Sequence, residues 1–361
     1  MMLARLARRQ GDTARAKRLF PLGCAALLVG AAFATTTLMA AGPAVARSQG
    51  TSGYNFNSPT SAAVVGADLF VTNGGNNSVT EVATAGGSYV ATMAAKRFKF
   101  DDPTAIEAVG KDLFVTNGLG NSVTEFSAGR RHIRTLRLAQ YGFADPVALA
   151  SFGQDLFVLN AGGAGSVTEI SAPSGALIGT VSGSAFGFDD PSGLVASGTD
   201  LFVTNPGANT VTVVNAETRA LVSVLSGSSY QFDAPTGAAF DGSDVWVTNQ
   251  NSESVTEISA STLQEVNWVQ SGNLPWVGPI TYGNGDIFAI SPPGDSPMVS
   301  QVVPSSGAVT WMMCNTNGPY LFNNPQAAVV TGTDLWVVNE GGNSLTEMDT
   351  GSGDLIRTVS N

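Results

Sequence analysis

A six-residue pattern, in which an acidic residue precedes a short apolar run that ends at asparagine, recurs along this chain. Residues 200–205 are Asp-Leu-Phe-Val-Thr-Asn, and the chain contains seven versions of this pattern, the sixth of which is degenerate. The seven versions begin at Asp68, Asp112, Asp155, Asp200, Asp244, Asp286 and Asp334. Successive versions start 42 to 48 residues apart. A period of this size predicts a repeat architecture with one structural unit per copy.

Each unit predicts four short strands. In the fourth unit, stretches rich in Val, Leu and Thr at 193–196, 201–204, 210–214 and 220–225 are separated by Gly, Asn, Asp and Pro, which are turn residues. Units of about 44 residues with four strands each predict an all-β fold, a seven-bladed β-propeller of four-stranded antiparallel blades. The predicted blades cover residues 56–99, 100–142, 143–187, 188–231, 232–275, 276–321 and 322–361.

Two recurring positions predict how the blades pack. The second residue after each leading proline is small, and we expect it where the inner strands crowd around the axis. These residues are Ser61, Ala105, Ala148, Gly193, Gly237, Thr281 and Ala327. We expect the aromatic residue three positions before that proline to wedge between blades, with Trp276 replacing phenylalanine in the sixth unit. The ring is expected to close by packing between blades, although residues 47–55 could add a strand.

Residues 1–46 differ from the repeats and predict a secretory signal peptide. A basic segment precedes an apolar run over about residues 19–41, and Ala44-Val45-Ala46 supplies small residues for a cleavage site. The alternative is a membrane anchor that is retained. With cleavage, we expect a secreted, extracytoplasmic or cell-surface protein without a transmembrane segment.

The net charge of the predicted mature chain limits the classes of partner that it is expected to bind. Removal of residues 1–46 leaves 11 basic and 27 acidic residues, a formal charge of −16. So acidic a chain is not expected to bind nucleic acid. Only Cys314 remains, so no intrachain disulfide is expected. We expect a monomer.

The repeat carries a resemblance to known families. Residues 201–205 with 209–213 resemble the YVTN-type β-propeller repeat of bacterial surface and secreted proteins, and residues 191–194 are similar to the NHL repeat. The resemblance implies a propeller fold and covers about residues 56–361. These families include binding modules, surface proteins and enzymes. The similar streptogramin lyases depend on histidines near the channel mouth. The one histidine of this chain, His132, is predicted on an outer strand, which argues against that chemistry.

Acidic residues recur in two ways. Glutamates in the third predicted strand are interpreted as exposed or cross-strand paired scaffold residues: Glu81, Glu125, Glu169, Glu257 and Glu347. A second set precedes the inner strands: Asp101, Asp102, Asp145, Asp189, Asp190 and Asp233. Together with the repeat asparagines and with Glu107 near the channel, the second set predicts a Ca²⁺ site, because Ca²⁺ prefers oxygen ligands. The alternative is that these aspartates only cap turns. A rise in melting temperature with calcium would separate the two.

Two further departures from the repeat suggest binding surfaces. The aromatic residues Trp276, Tyr282 and Trp311 of the sixth unit could form a ligand-binding wall, or could only fill space in a decayed repeat. Basic residues concentrate in the first two units: Lys96, Arg97, Lys99, Lys111, Arg130, Arg131, Arg134 and Arg137. Arg130, Arg131, Arg134 and Arg137 in particular could bind an acidic protein, an envelope polymer or a lipid surface. The alternative is a solvated edge whose charges prevent strand pairing.

No catalytic triad, histidine-rich metal cluster, phosphate-binding glycine loop or cofactor motif is present in the sequence. We therefore expect a secreted or cell-surface propeller that acts as a protein- or ligand-binding module, with no cofactor other than possible Ca²⁺. The second hypothesis is a calcium-assisted hydrolase or lactonase at the acidic channel mouth. A purely structural role in the envelope is the third.

Overall fold

Seven antiparallel sheets, each built from four consecutive strands, form a ring around a central channel. The computed structural model describes residues 49–50, 53–272, 274, 276–291, 297–314 and 320–361. The predicted signal peptide, residues 1–46, lies outside the described residues. The prediction of a seven-bladed β-propeller is confirmed.

The strands follow the repeat in order. Strand β1 (Gln49–Gly50) precedes the first blade. Blade 1 contains β2 (Pro59–Val65), β3 (Asp68–Asn73), β4 (Ser78–Ala83) and β5 (Tyr89–Ala94). A four-residue helix, α1 (Ala95–Phe98), leads to blade 2. Blade 2 contains β6 (Pro103–Val109), β7 (Asp112–Asn117), β8 (Ser122–Ser127) and β9 (His132–Leu136). Blade 3 contains β10 (Pro146–Phe152), β11 (Asp155–Asn160), β12 (Ser166–Ser171) and β13 (Leu177–Val181).

The remaining blades repeat this arrangement. Blade 4 contains β14 (Gly193–Ser197), β15 (Asp200–Asn205), β16 (Thr210–Asn215) and β17 (Leu221–Leu225). Blade 5 contains β18 (Pro235–Phe240), β19 (Asp244–Asn249), β20 (Ser254–Ser259) and β21 (Glu265–Gln270). Blade 6 contains β22 (Ile280–Gly283), β23 (Asp286–Ser291), β24 (Met298–Val303) and β25 (Ala308–Cys314). Blade 7 contains β26 (Pro325–Thr331), β27 (Asp334–Asn339), β28 (Ser344–Asp349) and β29 (Leu355–Ser360). Single 3₁₀ turns, Ala139–Tyr141 and Ser184–Phe186, precede blades 3 and 4.

The repeat motif forms the second strand of each blade. Its apolar residues are buried on both faces, because each blade is covered by a neighbour on either side. In six of the seven blades the aromatic residue before the leading proline lies between blades, as predicted: Phe100, for example, packs in one cluster with residues of blades 1 and 2. Seven such clusters, one for each pair of neighbouring blades, hold the ring together.

The predicted alignment of the sixth repeat with the other repeats was wrong by two residues. The amide of Gly278 donates to Ile290 O, as the amide of Ser192 donates to Thr204 O in blade 4. Ile290 and Thr204 are each the fifth residue of their strands, so Gly278 corresponds to Ser192. The wedge position therefore belongs to Leu274, which is fully buried. Trp276 does not replace the wedge phenylalanine; it is 49% exposed and has a φ of 50°.

The ring closes between blades 7 and 1 mainly by packing and side-chain hydrogen bonds. The Asn361 side chain accepts from Phe56 N at 2.9 Å and donates to Phe56 O at 2.6 Å. Ser58 N donates to Asn343 Oδ1 at 2.8 Å. All four strands of blade 7 come from the end of the chain, and β1 adds a short parallel strand to its outer edge.

Candidate functional site

The central channel is narrow and lined by small groups. A cavity of about 440 Å³ is bordered by the first strands of all seven blades. Gly193 and Gly237 contribute backbone where other residues would contribute side chains: a Cβ on Gly237 would lie 2.5 Å from Gly278 O. In blade 6, Pro279 and not Thr281 lines the cavity at the corresponding position, because of the shifted alignment. The predicted crowding at the axis is present.

The repeat asparagines are part of the scaffold. Asn117 is fully buried, and its Nδ2 donates to Ser122 Oγ at 3.2 Å and Thr124 Oγ1 at 3.1 Å. Its Oδ1 accepts from Asp101 N at 3.1 Å. The corresponding asparagines of four other blades make the same kind of bonds in both directions: Asn73, Asn160, Asn249 and Asn339. In blade 4, Asn205 donates to Thr210 and Thr212. These amides link the second strand to the third, and in five blades also to the preceding loop.

The loop aspartates lie on the same end of the ring as the asparagine loops, as predicted. Gly118 N, for example, donates to Asp102 O at 2.8 Å. Asp102, Asp145 and Asp190 have φ values of 57°, 52° and 56°, a left-handed conformation that Asp tolerates well. The amides of Asp102 and Asp145 donate to Asn77 and Asn121 of the preceding blade, each at 2.7 Å. This geometry supports the turn-capping alternative.

The predicted calcium ligands form no cluster of three carboxylates among the described residues. Among the described residues, only one set of three carboxylates has its oxygens within 4.8 Å of one another, and it contains no member of the predicted calcium set, Asp101, Asp102, Asp145, Asp189, Asp190, Asp233 and Glu107. Glu107 lies towards the opposite end of β6, where it accepts a hydrogen bond from Ser151 Oγ at 2.8 Å. Burial raises the pKa of Glu107. Calcium binding at the channel mouth stays a prediction.

The recurring glutamates of the third strand are buried, so the exposed alternative is wrong, whereas cross-strand pairing is observed in two blades. Glu125 lies opposite Arg134 on β9, with 2.7 Å between Oε2 and Nε. Glu347 pairs in the same way with Arg357 at 2.5 Å. Burial raises the pKa of both carboxyls to about 7, although the arginines act in the opposite direction.

In two blades the arginine comes from the next blade along the chain. Arg130 of blade 2 lies 3.3 Å from Glu81 of blade 1. Arg219 of blade 4 lies 2.6 Å from Glu169 of blade 3. These pairs tie neighbouring blades together near their outer edges. Arg130, in one of these pairs, and Arg134, in the pair with Glu125, therefore have structural roles. The sequence had suggested both as partner-binding residues.

Blade 5 lacks such an arginine. Glu257 is 6% exposed and faces Asn267 across β20 and β21. Its carboxylate belongs to the set of three, with Asp241 and Asp244. Burial, followed by the charges of Asp244 and Asp241, raises the pKa of Glu257 to about 7. Asp241 itself caps a turn, accepting from Ser243 N and Asp244 N at 2.8 Å. Sequence reasoning missed this cluster, because Asp241 lies outside the repeat motif.

The blade 6 aromatics occupy separate parts of the fold. Trp276 lies in the loop before the first strand, at the position that corresponds to Asp190 in blade 4. Tyr282 lies near the far end of β22 and is 37% exposed. Trp311 lies on the outermost strand, β25, and its side chain is outside the described part of the structure. An aromatic ligand-binding wall in blade 6 stays a prediction.

Exposed cations gather at the outer edge of blade 2. We call Lys96, Arg97, Lys99, Arg131 and His132 the basic rim. Its four Lys and Arg residues are exposed, and none forms an ion pair with an acidic residue in the described ranges. The helix α1 carries Lys96 and Arg97. It packs against β9 and so brings these two residues near His132, the first residue of β9. Arg137 is exposed just beyond the end of β9.

His132 lies within this basic surface. Its ring stands edge-on to Phe98, 6.1 Å between centroids, and its Nε2 is 3.0 Å from Thr135 Oγ1. Burial, and then the charges of Lys99 and Arg97, lower the pKa of His132. Lys99 and Arg97 therefore disfavour the charged form of His132.

The fold and its surface define a seven-bladed β-propeller with a narrow channel. No protein-family profile matches the chain, and no curated protein matches it. Among solved structures, a chain of a mitotic checkpoint complex matches with a TM-score of 0.63 and 14% identity, over 89% of this chain and 96% of that one. The Pan2 WD40 domain of Neurospora crassa matches with a TM-score of 0.61 and 10% identity, over 83% and 91%. At these identities the likeness shows the fold alone. The YVTN or NHL type of the repeat stays a prediction.

Within the described residues, no helix is long and apolar enough to cross a membrane.

Proposed function

We propose that this chain is a secreted or cell-surface interaction module that binds an anionic partner through the basic rim. The proposal rests on a difference between two groups of basic residues, those paired with buried glutamates and those exposed without such a partner. Arg130, Arg134, Arg219 and Arg357 all face buried glutamates. Four cations of the basic rim have no such partner and point outward from a protein with an expected charge of −16.

Self-repulsion makes this surface suited to binding. Like charges held together on one edge raise the free energy of the unbound protein, and an anionic partner relieves that cost. The similar propeller in the mitotic checkpoint complex supports a protein partner by analogy of fold. The described residues support catalysis less well, because the repeat asparagines are used in the scaffold and no three of the loop carboxylates lie within 4.8 Å of one another.

Binding to model polyanions tests the role of the basic rim. The rim variant Arg97→Gln/Lys99→Gln/Arg131→Gln removes three positive charges without touching a buried ion pair. The control Ser226→Asp/Ser228→Asp/Ser229→Asp makes the same change of −3 at exposed serines near the end of blade 4. Affinity for polyaspartate and for poly(glycerol phosphate) is measured by titration calorimetry at low and high salt.

We expect the rim variant to bind about tenfold more weakly, since three surface pairs of about 0.5 kcal/mol each are lost. The control should change affinity much less, and high salt should weaken the wild type. Equal losses in the rim variant and the control would reject a specific role for the rim and leave only an effect of net charge.

Export is tested separately. We expect the producing cell to release a chain that begins at Arg47, after cleavage behind Ala46. N-terminal sequencing of the protein from the medium and from the cell surface checks this. An intact chain confined to the cytosol would contradict a secreted role.

A further inference from the structure

His132 is the residue of the basic rim whose charge can change near neutral pH. Its position is fixed by contacts on two sides, with the Phe98 ring on one and Thr135 Oγ1 on the other. The Arg97 guanidinium also lies over the Phe98 ring, 5.6 Å from its centroid. The imidazole is thus built into the surface and does not extend freely into solvent.

The charged groups around His132 come from each element that packs against it. Lys96 and Arg97 belong to α1, and Lys99 follows that helix. Arg131 precedes His132 in the turn before β9. Glu125 of β8 and Arg134 of β9 form an ion pair with each other. The net field at the imidazole is therefore positive, and the pKa of His132 is lowered by burial, Lys99 and Arg97.

The strand that carries His132 offers a second means of recognition. β9 is the outermost strand of blade 2, so one side of its backbone has no strand partner among the described residues. An extended peptide can add to such an edge through backbone hydrogen bonds, with alternate side chains directed to each face. The cations beside β9 favour an acidic segment and disfavour a basic one. A protein segment uses both features, whereas a phosphate polymer lacks backbone amides.

Building on the proposed function, we propose that the basic rim binds an extended, carboxylate-rich protein segment and that His132 gains a proton as the segment docks. Carboxylates near the imidazole stabilise its charged form. The complex then holds a proton that the free protein has released, at pH values between the free and bound pKa. Binding is therefore tighter as pH falls through that interval, and levels off below it.

The test uses a peptide of alternating Asp and Thr, with an alternating Asn and Thr peptide as the uncharged control. Asp has an ordinary pKa of about 3.9, so the first peptide stays ionised from about pH 7.5 to about pH 5.5. His132 is the one histidine in the sequence, so NMR signals of its ring report its pKa without assignment ambiguity. Affinity is measured over the same pH range for the wild type, His132→Gln and the rim variant.

We expect the acidic peptide to raise the pKa of His132 by about one unit, which corresponds to about tenfold tighter binding at the acid end. His132→Gln should lose this gain, while Ser226→Asp/Ser228→Asp/Ser229→Asp should retain it. A pH-independent affinity and an unchanged pKa of His132, with binding still lost in the rim variant, would overturn the role of His132 and leave the proposed function intact.

Other outcomes separate the partner classes. Binding of poly(glycerol phosphate) together with equal, weak binding of both peptides would overturn the carboxylate-rich segment but not an anionic partner. Absence of binding to every polyanion would overturn this inference and the proposed function together.

Discussion

Arg134 and Glu125 face each other on neighbouring strands with 2.7 Å between Nε and Oε2, the arginine side chain 27% exposed and the glutamate 1%. The arginine thus covers a carboxylate that the blade has removed from water. A buried carboxylate without a counter-ion costs several kcal/mol, so the pair stabilises the blade mainly by avoiding that cost.

We expect Arg134→Gln to lower the free energy of unfolding by about 2–3 kcal/mol, because Glu125 loses its counter-ion. Urea denaturation measures this change. Arg131→Gln is the control, since Arg131 is exposed and adjacent, and it should change stability by less than about 0.5 kcal/mol. Similar losses in both variants would show that the ion pair contributes little.

Glu257 predicts a pH-dependent stability in blade 5. Its folded pKa of about 7 lies above the ordinary value of 4.5, so the folded state holds an extra proton between these values. Stability therefore falls as pH rises through this range, by on the order of 3 kcal/mol in total.

Glu257→Gln removes this titration, and we expect it to flatten the dependence of unfolding free energy on pH and to stabilise the protein above pH 7. Denaturation at a series of pH values measures the slope. Glu265→Gln, at the first residue of the outer strand β21, serves as the control. An unchanged slope in the first variant would contradict the assignment.

Asn361 contributes hydrogen bonds to the closure of the ring between blades 7 and 1. The Asn361 side chain makes two hydrogen bonds with the backbone of Phe56. We expect Asn361→Ala to reduce the free energy of unfolding by about 1–3 kcal/mol. Thermal and urea unfolding measure the loss. Asn251→Ala, which removes one exposed side-chain bond to Asp233, should have a smaller effect. The opposite order would indicate that packing alone closes the ring.

Gly237 tests the crowding around the channel. A Cβ at this position would lie 2.5 Å from Gly278 O and 3.0 Å from Thr248 Oγ1, so Gly237→Ala forces neighbouring strands apart. We expect a loss of about 1–3 kcal/mol. Gly272→Ala is the matched control, because nothing lies within 4 Å of the added group there. If Gly237→Ala is no worse than the control, the inner strands are not tightly packed.

The blades could be predicted because the residues that define each strand and its turns are neighbours in the sequence. Each repeat motif forms one strand within one residue of its expected bounds: the strand predicted over 201–204 in blade 4 spans Asp200–Asn205. In blade 6 the same reasoning was wrong by two residues, because Pro279 resembled the leading proline of the other units. The hydrogen bond from Gly278 to Ile290 settles the alignment, and sequence spacing does not contain it.

The ion-pair partners and the burial of the third-strand glutamates could not be predicted from a single sequence. Glu81 receives its arginine from the following blade, at a sequence distance that the repeat does not mark. Burial of Glu125 depends on strands on both sides of it. Neither property follows from residue type, so the sequence left exposed and cross-strand paired side chains as alternatives. The basic concentration in blades 1 and 2 was visible, but its division into buried counter-ions and exposed rim cations required the structure.

The most direct measurement compares polyaspartate affinity of the wild type, Arg97→Gln/Lys99→Gln/Arg131→Gln and Ser226→Asp/Ser228→Asp/Ser229→Asp. We expect about tenfold weaker binding in the first variant alone. Equal affinity of the two variants, or no measurable binding by the wild type at low salt, would contradict an interaction module that recognises its partner through the basic rim.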